Sequence, residues 1–368
     1  MAEIVPFAVD TPQSDLDDLR RRLRDTRWPA AAPRPGWDTG VPLDWLRDVC
    51  GYWAGSYDWR ASGEAGLNRF EQFRTTIDGL AIHFLHARSA KADALPIVIT
   101  HGWPGSVFEF LDVIEPLAED FHVVVPSLPG YGFSAQPTEA GWGAVRTAKA
   151  WIDLMARLGY DRYGAQGGDW GSFVTTTIGA LDPDHCAGIH VNMAIAGPSG
   201  DEPMTEVEQQ AMADVAAYNQ HDSGYMKLQS TRPQTLAYAL TDSPAGQAAW
   251  ILEKFWSWTD HDGDPRSAIP VDRLLDNVTL YWLTRTAGSS ARMYHETFSG
   301  DLSVSAVAVP AGVAIYPREI FRASRRWCEQ RFPTLVHFTE QPRGGHFAAF
   351  EQPQLFVDDV RTFFASLS

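Results

Sequence analysis

Two hydrophobic rhythms divide this chain. In residues 1–70 the apolar positions recur at helical spacing. Ser14-Asp15-Leu16-Asp17-Asp18-Leu19 supplies a polar cap and an acidic first turn, and Leu23 continues the apolar stripe. A helix is predicted there, stopping near Trp28-Pro29. Past Pro42, Leu43, Trp45, Leu46, Val49, Tyr52 and Trp53 predict a second helix. The Pro-rich stretch 29–42 separates the two. The whole region is too aromatic for a disordered tail and is expected to wrap against the main body.

From about residue 72 the rhythm changes to short apolar runs alternating with helical patterns. Phe73 to Ile77 and Ala81 to His86, split by Asp78-Gly79, predict a hairpin. Pro96 to Thr100 and Phe121 to Pro126 are continuous apolar runs, as strands buried on both faces require. A helix at about 142–158, a strand at about 161–166, a Gly-rich turn and a helix from Gly171 to about 181 follow. His190 to Met193 predicts another strand. Strand–helix alternation with glycines at the joints implies an α/β fold, a mostly parallel sheet covered by helices on both faces. Residues 198–300 break the alternation with helical patterns rich in Trp and Tyr. Strands return at Gly312 to Tyr316 and Leu335 to Phe338, and the last helix is expected at 352–366. The expected division is therefore 1–70 as an N-terminal helical segment, 71–197 as the first part of the core, 198–300 as a helical cap and 301–368 as the rest of the core. The cap would roof the C-terminal sheet edge, where such sheets bind ligands.

Charge and composition remove several functions. Lys and Arg number 30 against 46 Asp and Glu, a formal charge of −16. Such a surface repels phosphate backbones and anionic lipid, so neither nucleic acid nor membrane is an expected partner. The chain opens Met-Ala-Glu-Ile-Val-Pro-Phe, with no basic or apolar signal-peptide pattern, and no run of about 18 apolar residues occurs. Cys50, Cys186 and Cys328 are odd in number and widely spaced. Reduced thiols in a cytoplasmic protein are expected rather than disulfides or zinc.

The candidate chemistry centres on Gly167-Gly168-Asp169-Trp170-Gly171, which joins a predicted strand to a helix. It has the frame of the α/β-hydrolase nucleophile elbow, G-x-nucleophile-x-G, with Asp in place of Ser. Alone, it reads equally as an Asp capping a helix in a Gly-rich loop. Three partners add weight. His101-Gly102-Trp103-Pro104 follows the strand Pro96 to Thr100, so the Trp103 and Trp170 amides could form an oxyanion hole. His346, in Arg343-Gly344-Gly345-His346-Phe347, stands between the last strand and last helix, where this fold keeps its base. An acid to orient it is offered by Asp201-Glu202 or by Glu319. Glu319 is preferred, because it lies two residues past Pro317 at a strand end, whereas the other pair sits in a Gly/Pro-rich entry to the cap.

An Asp nucleophile suits attack on an sp³ carbon, followed by hydrolysis of the resulting ester by His-activated water. The leaving group then decides the reaction. An epoxide oxygen needs acid donors; a halide needs indole N–H groups. Tyr225 and Tyr294 in the cap are candidate phenol donors, although each taken singly reads first as a packed aromatic. His295-Glu296 fails the H-E-x-x-H zinc pattern because position 299 is Ser, and no phosphate-binding or dinucleotide fingerprint is present. No metal and no cofactor are expected.

Taken together, these segments resemble the epoxide hydrolases related to the microsomal and juvenile-hormone enzymes, in a soluble, bacterial-looking form. The resemblance covers nearly the whole chain. It rests on Pro6-Phe7, Thr26 to Pro29, His101 to Ser106, Gly167 to Gly171, Gly224-Tyr225-Met226, Arg292-Met293-Tyr294, Pro317-Arg318-Glu319 and Gly344 to Glu351. It implies hydrolysis of an epoxide to a vicinal diol, with Asp169 as nucleophile, Tyr225 and Tyr294 as proton donors, and His346 with Glu319 as the water-activating pair. The Trp and Phe content of the cap points to a bulky apolar or aromatic epoxide. Two departures stand out. The anchor helix of the membrane-bound relatives has no counterpart here, and the segment between Pro116 and Phe121 is short. A haloalkane dehalogenase, which pairs an Asp nucleophile with a following Trp, is the nearest rival, and a non-catalytic receptor of the same shape is the other. Oligomeric state, a homodimer included, stays open.

Overall fold

The computed structural model describes residues 3–199, 201–300 and 306–367; the boundary expected at residue 301 lies outside them. Among the described residues one sheet of nine strands organises the chain. The strands are β1 (Val5–Phe7), β2 (Gln72–Ile77), β3 (Leu80–Ala87), β4 (Leu95–Thr100), β5 (Phe121–Pro126), β6 (Tyr163–Gly167), β7 (Cys186–Val191), β8 (Ala311–Ile315) and β9 (Leu335–Glu340). Their spatial order is β1-β2-β3-β5-β4-β6-β7-β8-β9, antiparallel as far as β5 and parallel beyond it. β5, β6, β7 and β8 are buried along their whole length, which is why their sequences are mostly small and apolar, with His122, Gln166 and His190 as buried polar exceptions. The β2–β3 hairpin turns on Asp78-Gly79, both at positive φ, as the tight turn between right-twisted strands demands.

Neighbouring residues of β7 show that helices cover both faces. A Cβ on Gly188 would meet Leu367 and Phe363 at the C-terminal end of the chain. The next residue, Ile189, touches Gly179 in the helix Trp170–Leu181. Successive side chains of a strand point to opposite faces, so these two helices lie on opposite sides. Trp170–Leu181 packs beside Ala144–Arg157, and Pro353–Ala365 beside Leu111–Ala118. No helix among the described residues is long and apolar enough to cross a membrane.

The N-terminal region corrects one expectation. Its two helices form, at Gln13–Arg24 and Leu43–Gly55, but the first begins behind Pro12 with no side-chain cap rather than at a capping Ser14 and ends at Arg24, short of Trp28-Pro29, and residues 1–70 are not all helical. Val5–Phe7 adds an antiparallel edge strand to β2. Three residues carry no readable period, and Pro6 is tolerated because an edge strand has one unpaired side. The rest of the region is fastened mainly to helices between β7 and β8, by aromatic side chains with polar tips. Trp45 donates to Asp264, Tyr52 to Asp272, Trp53 to Thr279 and Tyr57 to Asp276. Burial pushes the Asp276 carboxyl up to about 6, against the hydrogen bonds from Tyr57 and Ser62. Between β7 and β8 run Glu206–His221, Gly224–Thr231, Pro233–Asp242, Pro244–Trp258, Val271–Thr284 and Ala287–Phe298, with no strand among the described residues.

The C-terminal helix is pinned to the sheet by one carboxylate. Asp359 accepts from His190 Nε2 at 2.7 Å, His337 Nε2 at 3.1 Å, Thr339 Oγ1 at 2.7 Å and Gln341 Nε2 at 3.1 Å. Burial alone would raise its pKa, but the bonds from His190 and His337 outweigh that and hold it below the usual carboxylate range. Asp359→Ala should cost about 3 kcal/mol of unfolding free energy, read from urea midpoints at neutral pH. Because the folded-state pKa is lowered, this advantage is complete above the unfolded carboxylate value of about 3.9 and is lost as the pH falls below it. An undiminished difference at pH 2 would contradict the assignment.

Candidate active site

Asp169 lies between β6 and the helix Trp170–Leu181 with φ 50° and ψ −126°. That conformation is costly for any residue with a Cβ. The surroundings impose it, and they leave no room for side chains. A Cβ on Gly167 would sit 2.2 Å from the Gly171 carbonyl oxygen, and one on Gly171 1.9 Å from the Thr100 oxygen. On Gly168 it would meet Asn192 at 2.6 Å, and on Gly102 it would lie 2.1 Å from Asp169 Oδ1. The alternative of a helix-capping Asp is not what the chain adopts, since the Asp169 side chain makes no capping bond. Its Oδ1 instead accepts from the Trp103 amide at 2.7 Å. The Trp170 amide is the first of the helix, with no carbonyl a turn earlier to receive it, and the helix end favours negative charge.

Asp169 Oδ2 faces His346 Nε2 at 3.4 Å. On the far side of the ring, His346 Nδ1 meets Glu319 Oε1 at 2.7 Å. His346 and Glu319 are both buried. Burial would lower the histidine pKa, but the Glu319 charge and the bonds to Asp169 and Glu319 raise it well above the ordinary value. Glu319 is held in turn by the Ile320 amide at 2.6 Å. The main chain of His346 is tied to the carbonyl of Trp258, whose indole packs on the imidazole at 5.0 Å. Glu202, the other acid considered, pairs with Arg326 at 2.6 Å on the surface.

The remaining sequence candidates divide cleanly. Tyr225 stacks on Trp103, ring centroids 5.0 Å apart and planes at 8°. Tyr294 meets Trp170 edge-on at 4.6 Å and Tyr225 edge-on at 5.8 Å. Each tyrosine therefore lies on the side chain of a residue that flanks the Asp169 carboxylate. Burial raises both phenols well above their ordinary pKa, with the Asp169 charge contributing, so both keep their protons. His101, by contrast, is structural. Its Nε2 accepts from the Leu128 amide at 3.1 Å and its Nδ1 donates to the Gly102 carbonyl at 2.9 Å. Burial pushes it down to about 4, so it stays neutral. Pro104 shapes the same loop, its carbonyl accepting from Asn277 Nδ2 at 2.8 Å.

Sequence reasoning missed three neighbours. Tyr218 shares a 2.8 Å hydroxyl contact with Tyr225. Trp258 covers His346 from the helix Pro244–Trp258. Glu109, four residues past Gly105, lines the same cavity as Asp169 and His346. None stands in a motif, and Tyr218 and Tyr225 meet from two successive helices, Glu206–His221 and Gly224–Thr231, so no helical period joins them.

Comparison with known proteins agrees with this geometry. The family described as "Epoxide hydrolase N terminus" matches residues 4–110, and the alpha/beta hydrolase fold family matches residues 96–257. A protein of Stigmatella aurantiaca, provisionally assigned as an epoxide hydrolase, is 54% identical over 99% of this chain and 85% of its own length. Epoxide hydrolase 1 of Sus scrofa is 35% identical over 99% of this chain and 89% of its own. The crystal structure of juvenile hormone epoxide hydrolase from the silkworm Bombyx mori superposes with a TM-score of 0.92 at 31% identity, covering 100% of this chain and 95% of that one. With fold, sequence and solved relatives in agreement along its length, the chain belongs to the epoxide hydrolase family of α/β hydrolases.

Proposed function

We propose that Asp169 is the nucleophile with which this epoxide hydrolase opens its substrate, and that Tyr225, Tyr294, His346 and Glu319 complete the reaction. The observation that carries the reading is the double contact of Asp169. One oxygen is bound by the Trp103 amide, and the other faces an imidazole that a buried glutamate holds. Oδ2 attacks an epoxide carbon and the ring C–O bond breaks. The developing alkoxide takes a proton from Tyr225 or Tyr294, both buried and protonated. The ester then has Oδ1 as its carbonyl oxygen, bound by the Trp103 amide, with the Trp170 amide as the second proposed donor. Esterification removes the Asp169 charge that helps hold the proton on His346, and the imidazolium returns a proton to the tyrosinate. The neutral ring then takes one at Nε2 from the water that adds to the ester carbon. The oxyanion on Oδ1 is stabilised by the two amides. Collapse expels the diol oxygen, which takes the proton from His346, and the Asp169 carboxylic acid then gives its own proton to His346 Nε2, so that the carboxylate–imidazolium pair is restored.

Residues 198–300 would act as the cap that carries both tyrosines. The aromatic surfaces of Trp103, Trp258 and Phe347 support a bulky apolar or aromatic epoxide. Three free, buried cysteines support a cytoplasmic location.

Three outcomes are expected. A single turnover in heavy-oxygen water should leave the diol unlabelled and put the label in the Asp169 carboxylate, read by peptide mass; label in the first-turnover diol would exclude the covalent route. Replacing both Tyr225 and Tyr294 with Phe should slow ester formation by about a thousandfold or more, whereas near-normal turnover of the double variant would remove them from the role. Gly102→Ala should lose about a hundredfold in rate, because its methyl group would lie 2.1 Å from Oδ1 and 2.2 Å from Cβ of Asp169 and displaces that side chain; wild-type activity in that variant would mean the carboxylate need not occupy its observed position.

A further inference from the structure

Glu109 lies on the single-turn helix Val107–Phe110, in the loop that follows β4. Its carboxyl group occupies the space of a missing side chain. A Cβ on Gly105 would fall 1.6 Å from Glu109 Oε1, and the three nearest atoms to that Cβ all belong to Glu109. Gly105 thus opens a path by which the carboxyl reaches the site. There it lines a cavity of about 10 Å³, bounded also by Asp169, His346 and Asn192. That is about the least room that the centre of a single ordered water needs, and the polar side chains in the wall can offer the two to four partners that such a water requires.

We propose that Glu109 positions the water for the second half of the reaction: its carboxyl group and His346 Nε2 hold one water molecule in this cavity against the Asp169 ester. The proposal rests on the reading of Asp169 as nucleophile. Enclosure pushes the Glu109 carboxyl up to about 8; the His346 charge and the Gly102 and Ser106 amides oppose that, and the Asp169 charge adds to it. The other groups around it are Tyr281, which donates to the Gly105 carbonyl at 2.7 Å, neutral His101, and Glu319 behind His346. At neutral pH Glu109 is therefore protonated. A neutral carboxyl group both donates and accepts, so it can bridge a water without setting a second negative charge beside the oxyanion.

Rapid-quench measurement of the Asp169 ester separates its formation from its breakdown. Glu109→Ala should leave formation within about threefold of wild type and slow breakdown by about a hundredfold, the cost of a misplaced reactant. Glu109→Gln, which also donates and accepts, should restore most of the breakdown rate. Gly105→Ala, which displaces the carboxyl without altering it, should slow breakdown as Glu109→Ala does and serves if that variant does not fold. Unchanged breakdown in both Glu109→Ala and Gly105→Ala would overturn the proposal, as would equal slowing of both steps, the mark of a merely structural role. If wild type forms no ester at all, it is the Asp169 reading that fails, and this one with it.

Discussion

Asp169 holds a left-handed backbone conformation because four surrounding positions carry no side chain. Gly167 and Gly171 let the turn close against itself and against β4, Gly168 clears Asn192, and Gly102 leaves space for the carboxylate. A residue in this region of φ and ψ costs on the order of 1–3 kcal/mol, and the packing of β4, β6 and the following helix supplies it. The strain has a chemical return. It lifts the carboxylate off its own helix, where it would otherwise cap, and turns it toward an amide on one side and an imidazole on the other. The rest of the site is spaced from that one turn.

Much of this was legible in the sequence, for identifiable reasons. The strands were readable because burial on both faces leaves continuous apolar runs, and the hairpin because Asp78-Gly79 suits a single turn type. Asp169, His346 and Glu319 were readable because the fold orders them along the chain and places them at strand ends. What escaped had no local signature. Val5–Phe7 is a strand only because β2 offers an edge. Tyr218, Trp258 and Glu109 reach the site by tertiary approach, and Glu109 does so through the gap at Gly105, which in the sequence is one glycine of a loop. His101 shows the converse case. It sits in a motif beside the site, yet its hydrogen bonds hold the loop rather than face the carboxylate.

The tyrosines illustrate how two parts of the chain share one geometry. Tyr225 and Tyr294 come from helices inserted between β7 and β8, yet their rings rest on Trp103 and Trp170, which belong to loops of the sheet. Aromatic contacts of this kind prefer stacked or edge-on arrangements, so the indoles register the helices against Asp169. Lys254 and Trp258 extend the arrangement. Both bind Asp222, while Lys254 lies over the Tyr225 ring at 4.9 Å and Trp258 covers His346.

The fastening of the N-terminal region to distant helices also governs how the molecule is made. Trp53 and Tyr57 hydrogen-bond to partners 226 and 219 residues further along. A ribosome adding about 5–20 residues per second delivers those partners roughly 11–45 s after the residues they bind have been polymerised. For that interval the first two helices can pack on each other, but the faces that meet the later helices stay uncovered. The nascent chain thus carries sticky surface on these helices, and its yield in a cell depends on what shields them until their partners emerge.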